Sequence, residues 1–482
     1  MRQMLMVAVS LVSLPSCLPA QSEAPVVRRA REVVSVINAA SPAVVRAYVD
    51  TAFGQPMRGM PLNAHLGFFM GQWEQSRGLD RLEATETTVT SVTAIVTRRL
   101  TGDRVAIAVR IDPATPYLIS GIGLRPPPPT AGAPVVRIAS DPEMVAGLEK
   151  YVATLAREDV FSGAVLLAKD GKVLFTKAYG LANRDFDAPN RVDTKFNLGS
   201  MNKMFTSVAI LQLAERGKLS LDDPLAKFVP DFPSPAAAAK IRIKHLLSHT
   251  AGLGSYFNEE FDKSSRARFR TVDEMMQLAK GDSLAFEPGT RWSYSNTGML
   301  VLGKVIEVAT GQDYFGYIRD NIYRPAGMVN SDSYQLDYVN PNLAVGYEKE
   351  FADDGTKRYR NNIFMHVIRG GPAGGGYSTV EDLQRFADAL FAGKLVSKAS
   401  VELLTTPKPE LNSPRYGYGF GAEAGSEIVG HSGGFPGISS NLDIFKKSGY
   451  VAVVQSNYGG GSMPVVEKIR GLVKARIANL NP

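Results

Sequence analysis

Cysteine is almost absent from this chain of 482 residues, and the single one is Cys17. Beyond residue 17 the chain therefore has no thiol for a disulfide, a catalytic nucleophile or a zinc ligand. No apolar run after the first twenty residues is long enough to span a bilayer. A strong charge bias is missing too, because 54 basic and 47 acidic residues give a scattered +7. The sequence thus predicts no nucleic-acid partner.

The first twenty residues are similar to an export signal. They combine an early arginine, an apolar run over residues 5–14 and small residues near the expected cleavage site. Two interpretations of Cys17 remain open. Residues 14–17 resemble a lipobox, which would make Cys17 a lipidated first residue, whereas cleavage after Ala20 would discard it. Both interpretations predict an exported protein, either periplasmic or anchored to a membrane as a lipoprotein.

Residues 25–125 read as a small α+β domain. Apolar residues recur at helical spacing over 26–40 and 41–53. Two β-rich runs then surround a turn at residues 101–103, and a further strand precedes Pro126. The domain resembles small cystatin-like or NTF2-like modules. A proline-rich linker over residues 126–137 separates it from a second domain at 141–482.

The second domain is predicted to build one antiparallel sheet from both of its chain ends. A helix near residues 141–157 precedes two strands joined at Asp170-Gly171, and three strands and a helix end the chain. About 240 residues between them read as mostly helical by period. This layout predicts an α+β fold, in which terminal helices flank an antiparallel sheet with a large helical insertion.

Residues 430–434 spell G-x-S-x-G, the nucleophile elbow of α/β-hydrolases. That fold needs a catalytic histidine after the serine, but the five histidines stand at 65, 245, 249, 366 and 431. Pro436 and Gly437 also oppose the helix that must follow an elbow. Ser432 is therefore not predicted to be a nucleophile.

Two other short motifs carry more chemistry. Ser200 and Lys203 are three residues apart at the start of a predicted helix, so their side chains share one face. A capping serine with an exposed lysine would give the same pattern. Tyr294 and Asn296 precede another helix and offer a phenol and an amide, although a core tyrosine and a turn asparagine would look alike.

Serine-x-x-lysine, tyrosine-x-asparagine and a histidine-x-glycine strand, in this order, resemble the serine β-lactamase and penicillin-binding-protein superfamily. The tyrosine form is typical of the class C branch, with its β-lactamases, D-alanyl-D-alanine carboxypeptidases and family VIII esterases. Segments 243–254, 287–299 and 370–387 are similar to segments of the same branch. The resemblance covers residues 145–480 and implies a β-lactamase/transpeptidase-like fold.

The resemblance also implies roles for individual residues. Ser200 would be the nucleophile that forms an acyl-enzyme, with Lys203 and Tyr294 sharing a proton as a coupled pair. The other expected site groups contact the substrate or its oxyanion: Asn296, His431, Ser432, Gly433 and the backbone amides of Ser200 and Gly434.

His431 stands where dedicated β-lactamases have a lysine, so near neutral pH we expect only a partial cation there. The sequence therefore favours an exported hydrolase of esters, amides or D-alanyl peptides with weak β-lactamase activity. The alternative is a non-hydrolysing sensor that binds penicillin or cell-wall peptides. No cofactor is predicted: His245 and His249 have zinc-pair spacing but lack the glutamate of HExxH and a third ligand. No feature specifies an oligomeric state.

Overall fold

A computed structural model describes residues 23–125, 127, 137–352 and 354–480. The chain divides into two compact units, Met1–Pro129 and Thr130–Pro482. The predicted leader, Cys17 and most of the predicted linker lie outside the described residues.

The described part of the first unit contains three α-helices and a four-stranded antiparallel sheet in the order β1-β2-β3-β4. Their bounds are α1 (Pro25–Ala39), α2 (Pro42–Ala52), α3 (Leu62–Ser76), β1 (Leu79–Thr87), β2 (Ser91–Arg98), β3 (Arg104–Ile111) and β4 (Ile119–Arg125). Helix α2 begins after Ser41, whose hydroxyl accepts the N–H of Val44. Two elements were not predicted. Helix α3 contains Gly67 and Gly71, and β1 is exposed at most positions, so neither has a clear hydrophobic period.

The second unit holds the remaining elements. Its helices are α4 (Asp141–Arg157), α5 (Asn202–Glu215), α6 (Pro235–Lys240), α7 (Ile243–Leu247), α8 (Glu259–Lys263), α9 (Val272–Met276), α10 (Asn296–Thr310), α11 (Tyr314–Ile318), α12 (Arg324–Ala326), α13 (Val380–Phe391), α14 (Lys398–Thr405) and α15 (Met463–Leu480). Its strands are β5 (Gly163–Lys169), β6 (Lys172–Tyr179), β7 (Leu181–Asn183), β8 (Ala188–Pro189), β9 (Phe196–Asn197), β10 (Tyr347–Phe351), β11 (Lys357–Asn361), β12 (Tyr377–Ser378), β13 (Gly421–Ala422), β14 (Ile428–Phe435), β15 (Ile438–Phe445) and β16 (Tyr450–Ser456).

One six-stranded antiparallel sheet joins the two ends of this unit, in the order β13-β14-β15-β16-β5-β6. Strands β15 and β16 are buried at every position, so both of their faces are covered. Helices α4 and α15 pack on each other and on the sheet, and α13 packs on β16 and β5. The predicted α+β architecture, with terminal helices flanking a sheet built from both chain ends, is therefore confirmed.

The turn between β5 and β6 also agrees with the prediction. Asp170 and Gly171 both have positive φ, as a two-residue type I′ turn requires, and Lys169 pairs with Lys172. The insertion is less regular than predicted. Most of its helices have only one or two turns, and irregular segments and two-stranded ladders join them. Short apolar stretches can be buried without continuing a helix, so periodicity overstated the helical content.

The insertion supplies α5 and α10, which pack on each other. Strand β14 contacts the turn ahead of α5. Among the described residues, no helix combines the length and apolar character needed to cross a membrane.

Candidate active site

Ser200 lies in a tight turn between β9 and α5. Gly199 has a φ of +50°, a left-handed conformation that glycine adopts without steric cost. The side-chain oxygen of Asn197 accepts the N–H of Gly199 at 2.9 Å. Helix α5 follows at once, and its residues 202–213 are all buried. A rigid backbone therefore holds the Ser200 side chain in place.

Lys203 is fully buried one turn along α5 from Ser200. Its Nζ donates to Oδ1 of Asn296 at 2.9 Å and to the carbonyl oxygen of Ala373 at 2.5 Å. Both acceptors are neutral, and within the described part of the chain no carboxylate shifts the titration of this amine. Burial therefore holds the pKa of Lys203 well below its usual value. A neutral amine has two N–H groups, both used here, and one lone pair left to accept a proton.

The Tyr294 phenol meets both of these side chains. The Nζ of Lys203 lies 4.8 Å from the centroid of the Tyr294 ring. Surrounding protein atoms raise the pKa of Tyr294 to about 12, and an interaction with the side chain of Ser200 opposes part of this rise. Tyr294 is thus a neutral phenol at neutral pH. The structure brings together Ser200, Lys203 and Tyr294.

Asn296 begins α10 directly after the N-cap residue Ser295, whose hydroxyl accepts the N–H of Gly298 at 2.8 Å. The Asn296 amide oxygen accepts from Lys203, and its Nδ2 donates to the hydroxyl of Ser255 at 3.1 Å. The sequence assigned Asn296 to substrate binding. In the structure this side chain also orients the lysine amine.

Strand β14 passes directly over the Ser200 turn. A Cβ atom on Gly433 would lie 1.8 Å from the carbonyl oxygen of Leu198 and 3.0 Å from the nitrogen of Ser200. One on Gly199 would lie 2.8 Å from the nitrogen of Gly434. Glycine is required at such short backbone separations. The amides of Ser200 and Gly434, which were predicted to form the oxyanion hole, are therefore neighbours.

His431 and Ser432 precede these glycines on β14, and Ser432 is exposed. Nε2 of His431 lies 2.8 Å from the Tyr416 hydroxyl, and its Nδ1 lies 2.5 Å from the carbonyl oxygen of Ser432. Burial and the nearby Lys203 lower the pKa of His431 to about 4. The expected partial cation is therefore corrected to a neutral ring, in which Nδ1–H donates to the carbonyl and Nε2 accepts from the phenol.

Two contributors to the site were not predicted from the sequence. The Ala373 carbonyl anchors Lys203, and Tyr416 holds the ring of His431. Ala373 lies in a glycine-rich segment that packs on the Ser200 turn, where the N–H of Gly375 donates to the carbonyl oxygen of Gly199 at 3.1 Å. The similarity of segment 370–387 to the class C branch was a signal for this contact, but no residue type marks a carbonyl acceptor.

His245 and His249 have separate structural partners. Nδ1 of His245 accepts the N–H of Arg242 at 3.2 Å at the start of α7. Nδ1 of His249 accepts the N–H of Ser295 at 3.2 Å. Across residues 23–125, 137–352 and 354–480, no group of three or more histidine, cysteine, aspartate or glutamate side chains could hold a metal ion.

The site thus combines a hydroxyl, a buried amine with a lowered pKa, a neutral phenol and two adjacent backbone amides. A hydroxyl next to a neutral amine can be activated for attack on a carbonyl carbon. Paired amides can stabilise the negative charge that develops on the carbonyl oxygen. This set of groups fits acyl transfer through a covalent intermediate.

Comparisons with known proteins identify the family of this chain. The family model described as Beta-lactamase matches residues 148–475. Penicillin-binding protein 4* of Bacillus subtilis (strain 168) is 31% identical over 312 residues, which cover 61% of this chain and 68% of the relative.

Two solved structures extend the likeness. The penicillin binding protein from Bacillus halodurans aligns with a TM-score of 0.61 and 30% identity, over 67% of this chain and 99% of that one. A D-stereospecific amidohydrolase from Streptomyces sp. aligns with a TM-score of 0.55 and 27% identity, over 68% and 98% of the two chains. The chain belongs to the Beta-lactamase family and has the serine hydrolase-type fold of β-lactamases and penicillin-binding proteins.

Proposed function

We propose that this protein is an exported serine hydrolase of the class C branch, which acts on esters or amides through an acyl-enzyme at Ser200. The observation that carries the proposal is the environment of Lys203. Its amine lies fully buried three residues along the chain from Ser200, has no carboxylate partner among the described residues, and keeps one lone pair free. A lysine that served only the fold would be expected at the surface or in an ion pair.

Acylation begins when the Oγ of Ser200 bonds to the substrate carbonyl carbon while its proton moves to the Nζ of Lys203. The N–H groups of Ser200 and Gly434 then stabilise the oxyanion. When the carbonyl re-forms, the bond to the leaving group breaks, and that group takes a proton from Lys203 through the Tyr294 phenol. The transient ammonium is stabilised by the face of the Tyr294 ring.

Deacylation reverses this proton path. A water molecule attacks the ester carbonyl and gives its proton to the same neutral pair of Lys203 and Tyr294. The carboxylic acid product leaves as the oxygen of Ser200 recovers a proton. A neutral amine with a neutral phenol differs from an ammonium with a phenolate only in the position of one proton, so the two side chains titrate together.

The neutral His431 ring supports a preference among substrates. A strand lysine would offer a permanent cation to the carboxylate of a β-lactam, whereas this imidazole offers none near neutral pH. The names of the relatives point to penicillin binding and to D-stereospecific amide hydrolysis. We therefore propose esters and amides of D-amino acids as substrates, with weak β-lactam turnover.

Export is proposed from residues 1–20, with lipidation at Cys17 as one of its two forms. Mass spectrometry of the mature protein from its native host would distinguish the two. A diacylglycerol adduct on Cys17 would support the lipoprotein form, and a free amino terminus at Gln21 would support simple secretion. An intact leader in the recovered protein would contradict export.

The decisive experiment treats wild type and Ser200→Ala with a fluorophosphonate and with a fluorescent penicillin. Each protein is then assayed with p-nitrophenyl esters, D-Ala-D-Ala peptides and nitrocefin. We expect Ser200-dependent labelling with ester hydrolysis and slow nitrocefin turnover. A stable Ser200 adduct without turnover of any substrate would support the sensor alternative, and unchanged hydrolysis by Ser200→Ala would overturn the proposal.

A further inference from the structure

His249 has an unfavourable backbone conformation, and it takes no part in the proposed acyl-transfer steps. It follows α7 by two residues, is fully buried, and has a φ of +60°. Residues with a Cβ atom rarely adopt this left-handed conformation, and at a functional site such an outlier points to a constraint imposed by the surroundings.

The constraint is a set of three contacts with consecutive residues. The carbonyl oxygen of His249 accepts the N–H of Ser293 at 2.9 Å. Its ring centroid lies 4.5 Å from that of Tyr294, with the ring planes inclined at 43°. Its Nδ1 accepts the N–H of Ser295 at 3.2 Å. One residue therefore holds the backbone on both sides of Tyr294 and contacts the ring between them.

The ring of His249 can do this only in one protonation state. Because Nδ1 accepts a hydrogen bond, the ring proton is on Nε2, which is buried without a hydrogen-bond partner among the described residues. The ring lies between Tyr294 and Tyr416, whose centroid is 4.7 Å away. Burial disfavours a charged imidazole here, and Lys203 and His431 are the nearby basic groups.

We propose that His249 is a positioning residue, which holds the Tyr294 phenol between Ser200 and Lys203. This inference rests on the proposed function, because it assigns a purpose to the placement of Tyr294. Since Ser295 is also the N-cap of α10, the same contact ties the phenol to the start of the helix that carries Asn296. Small displacements of a reacting group cost much of the rate in oriented systems.

The test uses two substitutions of His249, which remove different parts of its side chain. His249→Gly suits the left-handed backbone but removes both the ring and the acceptor. His249→Asn also tolerates positive φ, and its Oδ1 can accept the Ser295 N–H in place of Nδ1. Ser248→Ala is the matched control, because this buried neighbour bonds only to Lys244 and Thr250 among the described side-chain contacts.

We expect His249→Gly to lower kcat for a p-nitrophenyl ester by about 10- to 100-fold with little change in KM. His249→Asn should recover part of this loss, and Ser248→Ala should retain wild-type kcat. The pH profile should change as well. Its Tyr294-dependent inflection, identified by its absence in Tyr294→Phe, should move to lower pH when water replaces the imidazole beside the phenol.

A double-mutant cycle separates positioning from a structural role. Positioning predicts that His249→Gly costs little rate in a Tyr294→Phe background, because the positioned group is gone. Additive losses, an unmoved pH inflection or an equal loss in Ser248→Ala would overturn the inference. If His249→Gly does not melt cooperatively, the same cycle with His249→Asn decides.

The same experiments keep this inference separate from the proposed function. A wild-type protein that shows no Ser200-dependent labelling contradicts the proposed function itself. A wild-type protein that labels normally, together with an additive cycle, contradicts only the role of His249.

Discussion

At the scale of single residues, burial gives Lys203 the lowered pKa that the proposed role as a base requires. Its nearest acceptors are an amide oxygen and a backbone carbonyl, 93 and 170 positions away in the sequence. Neither acceptor compensates the loss of hydration that an ammonium suffers when it is buried. The pKa of this group is therefore lower in the folded chain than in the unfolded chain.

This pKa shift predicts that Lys203 lowers the stability of the fold at neutral pH while it supports the activity. Below the unfolded pKa of lysine, the unfolded chain binds a proton that the folded chain does not, so this group makes folding less favourable at neutral pH than at alkaline pH. Lys203→Met keeps the volume and removes the titration. We expect a higher free energy of unfolding at pH 7, a smaller gain at pH 10, and a kcat/KM lowered by about 10²–10⁴-fold.

Urea unfolding at the two pH values and a p-nitrophenyl ester assay measure both sides of this prediction. Lys203→Arg is the control, since a guanidinium stays charged when buried and should destabilise the fold. Equal destabilisation by methionine at pH 7 and pH 10 would contradict a neutral Lys203.

His431 gives a second prediction from a single residue. Its pKa of about 4 in the folded chain is below the ordinary value of 6.5. Between these values the unfolded chain binds more protons, so the contribution of His431 to stability is lost as pH falls from about 6.5 to about 4. Near neutral pH the ring should not titrate.

Nuclear magnetic resonance can follow this titration directly. We expect one imidazole signal, assigned by its disappearance in His431→Gln, to stay unchanged from pH 8 to about pH 5.5. A titration midpoint for His431 near pH 6.5 would contradict a ring that is neutral at neutral pH and hydrogen-bonded through both nitrogens.

At the scale of elements, the site depends on the close contact between β14 and the turn before α5. Gly433 has no room for a Cβ atom, because the Leu198 carbonyl oxygen would lie 1.8 Å from it. Gly421, on the neighbouring strand β13, has its nearest atom at 3.4 Å from such a Cβ. The two glycines therefore offer a matched pair in one sheet.

We expect Gly433→Ala to push β14 away from Ser200 and separate the two amides proposed to form the oxyanion hole. Loss of one such donor costs about 3 kcal/mol of transition-state stabilisation, so kcat should fall by about 10²–10³-fold. Gly421→Ala should retain activity. Ester kinetics with thermal melting of both variants would test this, and full activity in Gly433→Ala would show that the contact is not needed.

Elements with a clear turn sequence or hydrophobic period could be predicted from the sequence, whereas elements without either could not. The hairpin at Asp170-Gly171 has a turn sequence that allows positive φ at both positions. Strand β1 has almost no buried position, and the short helices of the insertion bury apolar residues without a sustained period. Tertiary packing determines such segments, so local pattern could not place them.

At the scale of the whole molecule, the site residues all belong to the second unit. A continuous apolar core extends from Ala164 to Val453 within this unit. Its sheet contains strands from both ends of the unit, and α4 packs on α15. These features are those of a domain that folds independently.

We therefore predict that residues 137–482 alone melt in one cooperative transition and react with a fluorophosphonate at Ser200. Their kcat/KM for a p-nitrophenyl ester should equal that of the longer chain. Ser200→Ala in the same short chain controls for non-specific reaction. A short chain that folds but does not react would mean that the first unit contributes to catalysis.

The sequence by itself determined the neighbours that lie within one turn of helix or one tight hairpin. Ser200 lies in the turn before α5 and Lys203 in its first turn, and this spacing of three residues places both on one side of the chain wherever α5 packs. The order of the three motifs also identified the family. Tertiary structure alone decided the protonation states of Lys203 and His431. It also decided the contacts that His249 makes with Tyr294 and its two neighbours. Those properties depend on burial and on contacts between distant segments, which no local pattern encodes.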